Sequence, residues 1–130
     1  MDSASTLAAA PALVRELHEL IAWVAVVGNG LTGLWALADD RWGEVRHRSM
    51  WWAIAVAQGV LFVQVALGVW LSEGVRNPHL AMHRFYGFVA LFTVVIVYAY
   101  RSQLRAHRYL LYGFGGLFLM GLGIRAMFLT

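Results

Sequence analysis

Four long apolar runs divide the chain, at residues 17–38, 49–71, 79–100 and 109–129, with short polar stretches between them. Each run holds about 21–23 residues, which at about 1.5 Å per residue reaches about 32 Å, enough to cross the hydrocarbon core of a bilayer. The connections DDRWGEVRHR, SEGVRNP and RSQLRAHR are short, and short connections make neighbouring helices antiparallel. The pattern therefore predicts an all-α, integral-membrane, up-down-up-down four-helix bundle over residues 17–130, preceded by a mobile tail at residues 1–16. Pro78, just before the third run, suits a helix start.

Composition supports the same picture. The 130 residues are 61% hydrophobic with only 13% charged, about half the usual charged share of a soluble domain. Mean hydropathy is +0.65. A single short domain cannot hide that much apolar surface in a water-soluble core. The tail carries Asp2 and no basic start, so it does not read as a cleaved signal peptide. There is no cysteine, which removes disulfides, iron–sulfur clusters, thiolate ligation and covalent haem attachment together.

All ten cationic side chains are arginines, and they lie scattered at the ends of the runs. That is the pattern of topology signals and headgroup contacts, and it argues against a nucleic-acid partner. Arg41, Arg46, Arg48, Arg101, Arg105 and Arg108 lie on the side of the first and third connections. Arg15, Arg76, Arg84 and Arg125 lie on the other. Six against four turns the first group toward the cytoplasm and puts both termini outside.

Polar residues inside such runs need a reason. His18 and His83 each sit about one turn inside an apolar run, at matched depth in the first and third helices. In this topology those helices are a diagonal, parallel pair. Two histidines there are the ligand set of a six-coordinate haem b. Arg15, Arg84 and Arg125 flank the pair and suit haem propionates, which bind guanidinium groups bidentately. Gln64 belongs to the same half. Gly87 lies one turn beyond His83 on its face, where a flat ring needs a gap. His47 and His107 open the second and fourth helices and form a weaker second pair, the basis for a second haem. Asn29 is expected to join two helices, and His79 to sit at the interface. The remaining glycines read as close helix packing.

The segment VQVALGVWLSEGVRNPHLAMHRFYGFVALF, with Gln64, Leu67-Gly68, a short loop, His79-Leu80 and His83, resembles one four-helix half of the heme A synthase family. The resemblance covers residues 60–95 and, more loosely, the first helix. It implies His83 and His18 as axial haem ligands. Three features depart from that family. These 130 residues hold one bundle, not two. Arg15 stands where the family's catalytic glutamate is expected, with Glu16 beside it. The outer cysteine pair of some members is absent. These departures count against haem-methyl oxidation.

The sequence thus predicts a membrane b-type cytochrome with one bis-histidine haem near the outer face. Its expected setting is a larger respiratory or photosynthetic complex or a homodimer, exchanging electrons with quinol or a membrane partner. The alternatives are a haem-free accessory subunit and a haem-modifying enzyme using Glu16 or Glu19.

Overall fold

The computed structural model describes residues 3–43, 48–74 and 76–129. They form α1 (Ser3–Trp42), α2 (Ser49–Ser72), α3 (Pro78–Tyr100) and α4 (Arg108–Met127), with a short 3₁₀ turn at Arg105–His107 leading into α4. No strand occurs among the described residues. All four helices are long and apolar enough to cross a membrane.

The expected tail is a correction. Residues 3–16 continue α1 instead of preceding it, so the helix runs 40 residues, about 60 Å at 1.5 Å per residue. The cause is local: SASTLAAAPALVREL is rich in alanine, the strongest helix former. That propensity carries the helix through Pro11, whose missing N–H removes one backbone bond. The helix ends elsewhere follow expectation. At α3, Asn77 accepts a hydrogen bond from the His79 backbone N–H at 3.0 Å, and Pro78 occupies the first turn.

The helices pack in a ring, each against its chain neighbours, with α4 closing against α1. The buried positions explain this. On α2 they are Met50, Ile54, Ala57, Leu61 and Gln64, a stripe of alternating four- and three-residue steps on one face. On α4 they are Gly113, Gly116, Leu119 and Leu122. Many large apolar side chains are exposed, among them Trp23, Phe88, Phe92 and Phe118. Such a surface is costly in water and suited to lipid.

The tightest contact is between α1 and α4, and glycine makes it possible. A Cβ on Gly116 would lie 2.6 Å from the Asn29 carbonyl oxygen and 2.9 Å from the Gly33 Cα. One on Gly33 would lie 2.8 Å from the Gly113 carbonyl oxygen. These are backbone-to-backbone contacts that no side chain fits between. Asn29 then ties in a third helix: its amide donates to the Ala25 carbonyl at 2.8 Å and to the Ala57 carbonyl of α2 at 3.2 Å.

Two buried clusters follow. One, near mid-bundle, holds Ala25, Leu61, Ala90, Val94, Leu119 and Leu122. The other closes the opposite end from the histidines with Ala36, Met50 and Ile54, walled by Trp35, Trp51, Tyr109 and Tyr112.

Gly116→Ala is expected to lower stability by about 1–3 kcal/mol through overpacking. Gly59→Ala, where a Cβ meets nothing within 4 Å, should be neutral or stabilising by up to about 1 kcal/mol. Thermal unfolding followed by circular dichroism in detergent compares the two directly. Equal midpoints would mean that the glycine contact does not hold α1 to α4.

Candidate functional site

Toward the other end the helices part around a cavity of about 840 Å³, lined from all four. That volume lies within the range of small-molecule and cofactor sites, about 300–1,000 Å³. Its walls are mostly apolar, and its polar groups are few: Arg15, His18, Glu19, Asn29, Gln64, Ser72, His83 and Arg84 among them.

His18 and His83 meet inside it. Their ring centroids are 6.0 Å apart with the planes inclined by 70°. Two imidazoles sharing one metal ion at about 2.0–2.1 Å from each ligating nitrogen have centroids about 6 Å apart. The separation therefore suits two ligands on a common centre. The inclination is no obstacle, because each ring can turn about its own bond to the metal.

Each imidazole is set by its neighbours. His83 Nδ1 lies 2.8 Å from the Ala126 carbonyl oxygen of α4. A carbonyl only accepts, so Nδ1–H donates and Nε2 keeps its lone pair, the tautomer that ligates metal through Nε2. His18 Nε2 accepts from the Gln64 amide at 3.4 Å. Its Nδ1, and the Gln64 Oε1, are buried without a hydrogen-bond partner. A buried polar atom without a protein partner is one that water, an ion or a ligand can satisfy. Gly68 makes the room His18 needs: a Cβ there would stand 3.0 Å from His18 Cε1.

The other expected residues divide. Arg84 lines the cavity, and its Nη2 donates to the Ser72 carbonyl at 3.3 Å across the α2–α3 seam. Arg15 and Glu19 line its rim and are exposed. Gly87 lines it too, and the nearest atom to a Cβ there is Val65 Cγ2 at 3.9 Å. Arg125 is exposed and does not line the cavity; its depth is right but its face is not. Glu16 and His79 are exposed, as is His107 in the 3₁₀ turn. His47 lies outside the described residues. Among those residues no group of three or more His, Asp or Glu side chains converges. Two histidines are therefore the metal-ligating set the cavity offers among the described residues.

Sequence reasoning missed two features. Gly68 sits one turn from Gln64 on the same face, a spacing that marks it once Gln64 is known to reach His18. Asp39, at the opposite end of α1, is fully buried with neither carboxylate oxygen hydrogen-bonded. It read as part of the polar connection, and α1 instead continues through it.

Comparison of the chain with family models, with curated proteins and with solved structures finds no match.

Because an unsatisfied buried polar group costs about 1–3 kcal/mol, Asp39→Ala is expected to raise the unfolding midpoint of the purified chain. A lower midpoint would show that the carboxylate has a stabilising role.

Proposed function

We propose that the chain is an integral-membrane b-type cytochrome that holds one haem between His18 and His83. The observation that carries the reading is the facing histidine pair, 6.0 Å apart in a cavity of about 840 Å³. The His83 Nδ1 bond to Ala126 supports it, since it directs Nε2 toward ligation. The contacts also support an up-down-up-down arrangement. The early part of α1 meets the late part of α2 through His18 and Gln64, and the early part of α3 meets the late part of α4 through His83 and Ala126. On this reading, the arginine distribution puts the cavity toward the outer face of a bacterial cytoplasmic membrane.

The residues present fit the group. His18 and His83 would hold it, and Gly68 and Gly87 would leave space beside it. Arg15 and Arg84 stand at the cavity's polar rim, suited to anionic propionates. Arg84 would exchange its bond to the Ser72 carbonyl for a stronger, charge-assisted one. Gln64 would turn its amide from His18 Nε2 to another acceptor. Haem bound there supplies one-electron transfer. The chain's part would be to hold the group through His18 and His83, exclude water with Leu61, Ala90, Leu119 and Leu122, and fix the His83 tautomer. Ligation by two side chains would suit electron transfer more than oxygen activation. A quinol or a partner membrane subunit is the electron donor this reading implies.

A haem-modifying enzyme is the second reading, favoured by Glu19 at the rim of the same cavity. For that reading, Glu19→Gln abolishes modification of the bound haem, read by mass after extraction, and leaves haem content unchanged.

The deciding experiment is a reduced-minus-oxidised spectrum of the purified chain from a haem-replete host, with haem quantified per protein. One haem per chain with a sharp low-spin b-type band is expected. His83→Ala and His18→Ala should each lose that band, and Gly68→Val should weaken it by displacing His18. A folded chain without haem would sink the cytochrome and leave a haem-free accessory subunit.

A further inference from the structure

A second concavity, of about 810 Å³, lies at the opposite end of the bundle from the histidines, between the end of α3 and the start of α4. Val97, Leu111, Phe114, Leu117 and Phe118 line it, and His107 is its one polar residue. Gly115 makes its floor: a Cβ there would come within 2.9 Å of Val97 Cγ2. From His107 to Phe118 the groove follows α4 for about 16 Å at 1.5 Å per residue, comparable with much of one acyl chain. It is an open groove on a surface that is otherwise studded with outward aromatic rings.

What sets it apart is the charge at its polar end. The connection RSQLRAHR places Arg101, Arg105, His107 and Arg108 close together in the chain, all exposed, and no acidic residue stands among them. Two of the guanidinium groups are held in place. Arg101 lies 3.6 Å over the Tyr98 ring and donates to the Tyr98 carbonyl at 2.6 Å. Arg108 lies 5.0 Å over Trp51 and 5.2 Å over Tyr109. Arg105 follows Leu104 and begins the 3₁₀ turn that ends at His107, and Leu104 and His107 both line the groove.

We infer that this groove is a binding site for an anionic phospholipid, its acyl chain along Gly115 and Phe118 and its phosphate at Arg105 and His107. An apolar groove that opens at the interface onto arginines matches a molecule with a long apolar tail and a negative head. Arginine suits a phosphate because its planar fork donates two parallel hydrogen bonds. A zwitterionic lipid has the same tail but adds a cation that the arginines repel, so the head decides the selectivity. The inference does not depend on haem.

The test is native mass spectrometry of the full chain after delipidation. Phosphatidylglycerol and phosphatidylcholine with identical acyl chains are added in equal amounts. Retention should favour phosphatidylglycerol by about five-fold or more, the ratio given by about 1 kcal/mol for an arginine near the surface. The double variant Arg105→Gln with His107→Gln, whose sites are exposed and outside the packed core, should bring the ratio to about one without changing the helix content. Gly115→Leu, which fills the floor, should lower retention of both lipids. Equal retention of the two lipids by the unaltered chain would overturn the proposal. So would a preference that survives the double variant, or retention unchanged by a folded Gly115→Leu.

Discussion

The backbone contact between α1 and α4 is the constraint on which the rest of the bundle depends. Helices in lipid gain little from apolar burial, because the tails around them are as apolar as their side chains. What remains is close packing and hydrogen bonding. Gly33, Gly113 and Gly116 let two backbones touch, and Asn29, on the same stretch of α1, reaches sideways to the Ala57 carbonyl. Three helices are thereby fixed at one level. α3 is attached differently, through apolar contacts of Ala90 and Val94 and through His83 bonded to Ala126. The bundle is tight on one seam and loosest between α2 and α3, where Gly87 meets only a valine methyl. A cavity forms where the seams part.

Polar groups inside the bundle show what the packing leaves undone. Asn29, Thr32 and Thr93 each find a carbonyl, as polar groups away from water do. His18 and Gln64 find each other only at 3.4 Å, and an atom of each stays unpartnered. A chain built solely for cohesion has cheaper residues for those positions, since leucine fills the space without the desolvation cost. His83 is already bonded to Ala126, whereas His18 Nδ1 and Gln64 Oε1 have no protein partner. Within the proposed function, a ligand that offers a metal to two nitrogens and carboxylates to the rim would give those positions their purpose.

Much of this was legible before any coordinates. The four helices follow from run length, because nothing else explains four stretches of that apolarity in so short a chain. The histidine pair follows from depth, since each lies about a turn inside its run. Depth along a helix can be counted; azimuth is harder, because each residue advances about 100° and small errors accumulate. Arg125 shows the difference. It is at the level of the cavity and faces away from it. The glycines carried the opposite ambiguity: close packing was foreseeable, but which of them touched backbone and which touched nothing depends on the partner helix. The start of α1 lies outside the apolar run because alanine propensity extends a helix without apolar periodicity.

The two ends of the bundle bear on how many haems the proposal requires. At the histidine end four helices surround a cavity that polar side chains enter. At the opposite end Met50 and Ala36 are wholly buried, and Trp51 packs against Tyr109 and Tyr112 at 5.4 and 5.2 Å. That packing fills the space between helices with the chain's own rings, and His107 stands exposed outside it. A second macrocycle there would have to displace the aromatic cluster and the Met50 contacts, at a cost of several core side chains. The outer site asks for much less: an amide to turn and an arginine to change its acceptor. Within the proposed function the arrangement therefore favours one haem over two, and an electron path that begins or ends at the outer face.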